Sequence, residues 1–346
     1  MLSTFGFVCG ITNDPVTIAQ GTVQSDVYLF QQIVKKLGAN WKGDLLCWDD
    51  FADNPQKLHE YDVLYIVWDP MSVFHWKGLN KLTTEPVCTN YKQAVTYERL
   101  LKNVSRKMSP SVDMLALMKH KGIYYDHLER NDVLVASYFY VDRRPDARAA
   151  ESLWNHATDS GWTKLITKPS WGSCCTMVRC FDIGTDRERF FEYVELLATQ
   201  KYPGLTIQEF QSSTADHFEI RTFWIRGDYA YAIGTMSNIC AAKSADEEDC
   251  LEISDITTFD DARLKNGEFG RINRSIKSSL IEIGKRIVAL PIFDQEFMVR
   301  IDFMRADSGE YVVNEVEACW SRIFPEVIDK VDEMADAFVA LNTVDA

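Results

Sequence analysis

Residues 298–317 read MVRIDFMRADSGEYVVNEVE, which is two short strand patterns separated by the turn signal Asp-Ser-Gly. A hairpin closed at that turn sets Asp302 opposite Glu315 and Arg300 opposite Glu317. Residues two apart on a strand share a face, so these four side chains point the same way. Cross-strand neighbours have Cβ atoms about 5 Å apart, where like charges repel each other unless a cation lies between them. The alternative is an exposed hairpin whose acids are solvated or paired with Arg300.

The three carboxylates of this hairpin predict a site for a hard metal ion. Neither strand contains a histidine or a cysteine, so Asp302, Glu315 and Glu317 offer oxygen ligands only, which favours Mg²⁺ or Mn²⁺. An ion held by three carboxylates keeps open positions, and Mg²⁺ fills these with waters and substrate phosphates. The metal prediction therefore leads to a search for phosphate and base contacts elsewhere in the chain.

Composition excludes several classes of function. The chain has 346 residues, 46% of them apolar, which is enough for two or three lobes. A net charge of -14 argues against nonspecific binding to nucleic acid or to an anionic membrane. No apolar run approaches the length of a membrane span and the N-terminus lacks a signal-peptide pattern, so we expect a cytoplasmic protein. The nine cysteines are irregularly spaced without a Cys-x-x-Cys pair, which indicates neither a disulfide framework nor a zinc site.

Hydrophobic patterns divide the chain into three units. The first alternates strands and helices, beginning with the apolar run Thr4–Cys9 and including the buried strand Asp62–Trp68, which predicts a layer of parallel strands. Ligands bind beyond the C-terminal ends of such strands, so the loops after Cys9 and Trp68 are candidate substrate contacts. Ser109-Pro110 reads as the cap and first turn of a helix that opens the second unit. The predicted domains are 1–107, 108–204 and 205–346.

Lys168 is a candidate phosphate ligand. It ends an apolar strand and precedes the turn Pro169–Ser173, whose backbone N–H groups can surround a phosphate chain. The alternative is a surface lysine at a strand end. The adjacent Cys174 and Cys175 are interpreted as structural residues rather than nucleophiles.

Two segments of the third unit suit the rest of a nucleotide. Gln208, Glu209 and Phe210 end an apolar strand and offer backbone donors and acceptors beside an aromatic ring, as a purine edge requires. Glu219 and Arg221 share one face of the next strand, so the acid can accept from a ribose hydroxyl and the arginine can fork onto a phosphate or carboxylate. The alternatives are an ordinary strand end and a same-face salt bridge.

Taken in order, these signals resemble the ATP-grasp superfamily, above all its RimK-like and glutathione-synthetase-like ligases. The likeness spans roughly residues 109 to 326. Four segments carry the likeness, and their occurrence in this order is more specific to the superfamily than any single segment is. They are residues 121–128 with 133–135, residues 165–172, residues 207–210 through 219–223 with Gly227, and residues 300–302 through 314–317.

The resemblance implies an α/β and α+β protein with an N-terminal Rossmann-like domain followed by two α+β lobes that clamp ATP. It implies two Mg²⁺ ions, or Mn²⁺, at the three hairpin acids. The remaining roles that it implies are the phosphate contacts Lys121, with Lys119 as a competitor, Lys168 and Ser173; the adenine hinge Gln208, Glu209 and Phe210; the ribose contact Glu219; and the catalytic arginines Arg221, Arg274 and Arg300.

The chain departs from the family pattern in three places. Its second-lysine loop, Gly172–Thr176, has one glycine where relatives usually have several. Glu317 stands where many relatives have asparagine. The segment Ala318–Phe324 lacks the usual Ser-Pro-Gly type ending, so the substrate class cannot be carried over.

The resulting hypothesis is an ATP-dependent carboxylate-amine ligase that works through an acyl phosphate and releases ADP and phosphate. The expected substrates are an amino acid or a short peptide, without nucleic acid or membrane partners, and a homodimer is left open. One alternative is a phosphotransferase whose basic stretch 263–277 holds a small polyanionic acceptor. The other is a nucleotide-binding protein without catalysis, which the glycine-poor loop motivates.

Overall fold

The computed structural model of the protein describes residues 3–8, 22–46, 55–66, 107–170, 177–215, 219–235, 256–258, 269–271, 276, 278–294, 296–318 and 330–343. The helices of this part are α1 (Thr22–Lys36), α2 (Val112–Met118), α3 (Lys121–Glu129), α4 (Ala147–Asp159), α5 (Arg187–Thr199), α6 (Ser278–Val288) and α7 (Val331–Thr343). The strands are β1 (Ser3–Val8), β2 (Trp41–Leu46), β3 (Val63–Ile66), β4 (Lys107–Ser109), β5 (Tyr138–Val141), β6 (Lys164–Pro169), β7 (Arg179–Asp182), β8 (Leu205–Glu209), β9 (Glu219–Ile225), β10 (Asp228–Thr235), β11 (Ile256–Thr258), β12 (Phe269–Arg271), β13 (Met298–Arg305) and β14 (Tyr311–Glu317). None of the helices in these ranges is long and apolar enough to cross a membrane.

The N-terminal sheet is parallel, with the strand order β2-β1-β3-β4. This arrangement confirms the predicted layer of parallel strands. Helix α1 carries Lys35 and Lys36 in its last turn, where cations stabilise the negative end of the helix dipole. The predicted substrate loops after Cys9 and Trp68 lie outside the described residues.

The start of the second unit differs from the sequence prediction. Ser109 does not cap a helix but ends β4, which pairs with β3. Helix α2 is instead capped by Ser111, whose hydroxyl accepts from the Met114 amide at 3.2 Å. Ser109 and Ser111 flank Pro110, and each satisfies the local pattern of a helix cap. Only the pairing of β4 with the sheet decides which of the two caps the helix.

The central sheet is antiparallel, with the order β5-β8-β6-β7. Helices α4 and α5 cover one face and form a core with Leu165, Ile207 and other apolar residues of the strands. Alternation along the strands sends Tyr138, Thr206 and Lys168 to the other face. Strand β8, which follows the break at Pro203-Gly204, lies between β5 and β6 in this sheet, while the domain boundaries themselves stay a prediction.

The six-stranded sheet has the order β11-β12-β10-β9-β13-β14 and joins the other units. One face packs against α6 through a core that includes Trp224 and Ile301. The opposite face is divided into two regions. Its apolar region, with Phe223 and Ile233, packs against the N-terminal sheet and α7. The remainder of that face is charged, and it carries the predicted site.

Candidate active site

The hairpin of β13 and β14 brings the predicted acidic cluster together. Asp302 pairs with Glu315 and Arg300 pairs with Glu317, which confirms the register predicted from the turn. The register shifts by one residue directly after Asp302, so Asn314 is the additional residue of a β-bulge. A bulge interrupts the strict alternation of side chains. It therefore allows Asn314 and Glu315, which are sequence neighbours, to serve the same site.

Arg300 lies within this face and holds two of the three carboxylates. Its Nε and Nη2 atoms donate to the two oxygens of Asp302, each at 2.8 Å, and Nη2 lies 2.8 Å from Glu317 Oε2. Burial alone would lower the pKa of the Arg300 guanidinium, but Asp302 and Glu317 outweigh that effect and raise the pKa. Burial also raises the pKa of the Glu317 carboxyl, an effect that Arg300 opposes. Pairing of the acids with Arg300 is thus observed, although on a buried face rather than an exposed hairpin.

Strand β9 adds an acid and a base to the same face. Arg221 is paired across the sheet with Asp302, and its Nε donates to Glu219 Oε1 at 2.9 Å. The same nitrogen lies 3.8 Å from Asp302 Oδ2. The side chains of Glu219 and Arg221 are each 15% exposed. The same-face salt bridge considered from the sequence therefore exists, and it continues the charge network of the hairpin.

Asn314 connects this network to the central sheet. Its Nδ2 donates to Glu219 Oε2 at 2.6 Å, and its Oδ1 accepts from Lys168 Nζ at 2.8 Å. Lys168 also donates to the Tyr125 hydroxyl at 3.0 Å, and that hydroxyl donates to the Asn314 carbonyl at 2.6 Å. Burial raises the pKa of Tyr125, so the hydroxyl keeps the proton that it donates. Lys168 is 8% exposed, which excludes the alternative of a surface lysine.

Lys121 reaches the hairpin from the first position of α3. Its ammonium forms a salt bridge with Glu315, and the two side chains are 17% and 22% exposed. The competing lysine, Lys119, is the residue at the C-terminal cap of α2 and is 9% exposed. The assignment of either lysine to a phosphate stays a prediction.

The predicted adenine hinge is built into the central sheet. Gln208 is 1% exposed and pairs with strands on both sides. The Glu209 amide donates to the Ser137 carbonyl at 2.8 Å, and the Phe210 amide donates to the Lys164 carbonyl at 3.0 Å. The Lys164 ammonium lies 4.9 Å from the centroid of the Phe210 ring. A purine edge placed at these amides would have to replace one of these hydrogen bonds.

Several residues named from the sequence are not among those that the structure describes. These are Ser173, Arg274, Cys174 and Cys175, together with most of the basic stretch 263–277.

The hairpin acids do not form a preassembled metal cage. Within the residues that are described, no group of three or more acidic, histidine or cysteine side chains could hold a metal ion as it stands. The hairpin acids still suit Mg²⁺, because they are all oxygen donors on one face and each has a cation in contact with it. At Glu315, a metal would take the place now held by the Lys121 ammonium.

Sequence reasoning missed two residues of the network. Tyr125 and Asn314 lie within segments that carry the family resemblance, but the sequence predicts no role for either. Asn314 directly precedes Glu315, and the rule of alternation assigned it to the opposite face. Its position inside a short strand, directly before an acid, was the only signal, since asparagine is disfavoured in regular strands.

The assembled residues can bind a polyanion together with a divalent cation. Lys121 and Arg221 bring positive charge to carboxylates that suit a hard metal, and Lys168 is joined to them through Asn314. The face lies where the central sheet meets the six-stranded sheet, because Lys168 belongs to one sheet and Asn314 to the other. A ligand held here would contact both sheets.

Comparisons with known proteins agree with this architecture. No family model matches the sequence, and no curated protein is similar to it in sequence. Among solved structures, D-cycloserine synthetase DcsG is similar with a TM-score of 0.69 at 14% identity, over 98% of this chain and 99% of that chain. D-alanine–D-alanine ligase from Bacillus anthracis, complexed with ATP, has a TM-score of 0.59 at 13% identity, over 98% and 97%. The ATP-grasp ligase PsnB, complexed with its minimal precursor, Mg and ADP, has a TM-score of 0.56 at 15% identity, over 97% and 96%.

Proposed function

Because the chain has the ATP-grasp fold, we propose that it is an ATP-dependent ligase that joins a carboxylate to an amine and releases ADP and phosphate. The observation that carries the proposal is the continuous network from Lys168 through Asn314, Glu219 and Arg221 to the acids of the hairpin. This network links Lys168 of the central sheet to the carboxylates of the six-stranded sheet. The likeness along the whole chain to a synthetase and to ligases supports the same reaction class.

The chemistry explains why such a reaction needs ATP. A carboxylate is a poor electrophile without a leaving group. Attack of its oxygen on the γ-phosphorus of ATP breaks the bond to ADP and gives an acyl phosphate. The amine then attacks the acyl carbon, phosphate leaves, and the nitrogen loses a proton. The site has to hold charge and exclude water, and it does not need a protein nucleophile.

We assign to the site residues the roles that the ATP-grasp resemblance implies. Lys121, Lys168 and Ser173 hold the phosphates, and Arg221, Arg274 and Arg300 stabilise charge at the transferring group. Glu219 contacts the ribose, and the segment 208–210 contacts the adenine. Asp302, Glu315 and Glu317 hold Mg²⁺, which when bound neutralises phosphate charge.

Turnover with simple substrates tests the proposal. The protein is incubated with ATP, Mg²⁺ and pooled amino acids or dipeptides, and the nucleotide and phosphate products are quantified. We expect ADP and phosphate in equal amounts together with a new amide. Formation of AMP, or no turnover with any pool, would count against the ligase assignment. In a phosphotransferase the phosphate stays on the acceptor, so mass spectrometry of the products separates the two reactions.

Glu315→Ala tests the metal ligands directly. We expect loss of turnover and of Mg²⁺-dependent ATP binding, because one of the three oxygen ligands is removed. The fold should remain intact, since the side chain is 22% exposed and its removal relieves repulsion among the acids. Glu310→Ala, at an exposed position in the same hairpin, is the matched control and should behave as the wild type. Normal activity of the Glu315 variant would show that the metal assignment is wrong.

A further inference from the structure

The acids of the site are already neutralised by the protein. Lys121 forms a salt bridge with Glu315, and Arg300 contacts both Asp302 and Glu317. These side chains are all at most 22% exposed. Charge pairs at such depth are screened by solvent less than surface pairs are, so their exchange has a measurable effect on ligand binding.

These same side chains are the ones proposed to bind the ligands, with Lys121 at the phosphates and the acids at the metal. A divalent cation that arrives alone finds its carboxylates already paired with cations, which repel it. A polyphosphate that arrives alone has to draw Lys121 away from Glu315 and leave that carboxylate among like charges. When both arrive, the metal takes the place of Lys121 at the carboxylate, and phosphate oxygens take the place of the carboxylate at the lysine.

The two internal cations differ in how readily they can exchange. Arg300 donates two hydrogen bonds to Asp302 from a rigid fork and is 6% exposed, so it is held in place. Lys121 carries a compact charge on a flexible four-carbon stem. The backbone beneath it is fixed, because the adjacent Gly122 amide donates to Thr206 Oγ1 at 3.0 Å. Rotation of one side chain therefore suffices to move the Lys121 charge from the acid to a ligand.

We propose that the Lys121–Glu315 ion pair is an exchangeable internal contact that couples the binding of a polyphosphate to the binding of a divalent cation at this site. The inference rests on the proposed function, in which this face binds nucleotide and metal. In this ion pair each residue occupies the binding position of the other's ligand.

Two variants and two separate probes test this exchange. The probes are Mn²⁺ without nucleotide and inorganic tripolyphosphate without metal, each titrated into the full-length protein by calorimetry. For Lys121→Met we expect about tenfold tighter binding of Mn²⁺ and about tenfold weaker binding of tripolyphosphate, which is within the usual range of coupling between two ligands. For Glu315→Gln we expect the reverse, with weaker binding of Mn²⁺ and tighter binding of tripolyphosphate.

Lys285→Met is the matched control, because it removes a lysine from another Lys–Glu pair, on the exposed face of α6. It should bind both probes as the wild type does. Circular dichroism verifies that each variant is folded, and if Lys121→Met does not fold, Glu315→Gln alone decides. The proposal is overturned if either variant changes both affinities in the same direction or changes neither. Neither probe requires turnover, so these results stand whether or not the ligase assay succeeds. If the ligase is active but the two affinities do not shift in opposite directions, only the exchange is refuted.

Discussion

Asn314 connects the two sheets of the site. Its amide group donates to Glu219 and accepts from Lys168, so both ends are used. An uncharged amide can do both, whereas a carboxylate has no donor and an ammonium has no acceptor. The bulge in β14 is what brings this amide to the charged face.

Asn314→Asp tests whether the amide joins the two charges. The new carboxylate keeps an acceptor for Lys168 but replaces the donor that lies 2.6 Å from Glu219 Oε2. We expect a loss of stability of about 1–3 kcal/mol, measured by urea unfolding, because a partly buried hydrogen bond becomes a repulsion. Asn131→Asp is the control, as that exposed side chain also donates to an oxygen, the His127 carbonyl. Equal stability of the two variants would contradict a joining role for Asn314.

Glu296 gives a prediction about pH. It is 4% exposed and accepts from the Ser111 amide at 3.0 Å and from the Ser109 hydroxyl at 3.2 Å. Burial raises the pKa of its carboxyl, and the hydrogen bonds from the two serines oppose that shift without cancelling it. The folded state therefore binds the proton more tightly than the unfolded state. Its contribution to stability is complete below the pKa of an exposed glutamate and is lost as the pH rises through the raised value.

Glu296→Gln removes this titration. We expect the thermal midpoint of the variant, relative to that of the wild type, to rise between pH 4.5 and pH 7. The midpoints of both proteins are measured by circular dichroism across that range. Other titrating groups are common to the two proteins and cancel in the comparison. A difference that stays constant with pH would refute the prediction.

At the scale of the element, helix α3 is what positions Lys121. Its first turn rests on the central sheet through Gly122, against which the ring of Tyr140 packs. One turn later, Asp126 accepts from the hydroxyls of Tyr138 and Tyr140 at 2.6 and 2.7 Å. The hydrogen bond to Asp126, with burial, raises the pKa of Tyr140 to about 12, so that hydroxyl remains a donor at neutral pH. The helix is thus fixed at two successive turns to strand β5.

Gly122→Ala tests this docking. The added Cβ would lie 2.2 Å from Cγ of Tyr140, so the helix or the ring has to move. We expect a loss of about 1–3 kcal/mol of stability, as for overpacking elsewhere, together with weaker binding of Mg·ATP because Lys121 is the adjacent residue. Both effects are measured by thermal unfolding with and without the nucleotide.

Gly184→Ala is the matched control, since nothing lies within 4 Å of a Cβ at that position. Its stability should be within about 0.5 kcal/mol of the wild type. A Gly122 variant that behaves like this control would show that α3 is not held by the contact with Tyr140.

At the scale of the whole molecule, the N-terminal and six-stranded sheets share one core. Phe338 of α7 packs between them, with ring centroids 4.9 Å from Phe5, 5.3 Å from Tyr65 and 5.2 Å from Phe297. Lys36 of α1 also bonds two aspartates of α7, but these pairs are exposed and contribute little. The shared aromatic core, rather than surface charge, fixes the N-terminal layer to the sheet that carries the site.

Phe338→Ala should therefore destabilise both regions together. We expect a loss of about 3–5 kcal/mol, the range for removing a buried phenylalanine. Urea unfolding followed by circular dichroism and by tryptophan fluorescence should give coincident transitions, both shifted to lower urea. Leu196→Ala, at a side chain 43% exposed, is the control and should change little. Two separate transitions in the Phe338 variant would show that the regions unfold independently.

The features that could be predicted from the sequence are those set by residues close together in the chain. The hairpin register, the strand that ends near Glu209 and the strand that carries Glu219 and Arg221 follow from periodicity and turn signals of a few residues. The helix cap was assigned to Ser109 instead of Ser111 because both flank Pro110 and only sheet pairing separates them. Strand β2 had no prediction, since WKGDLL lacks an alternating pattern.

The sequence by itself determined that three acids and an arginine would share a sheet face, because a two-residue period and a turn fix the register of a hairpin locally. It also indicated which residue types could serve a nucleotide. Only the tertiary structure decided the partners of those charges. The contacts of Glu315 with Lys121 and of Asn314 with Lys168 join residues far apart in the chain, and such contacts depend on how helices and sheets pack rather than on any local pattern.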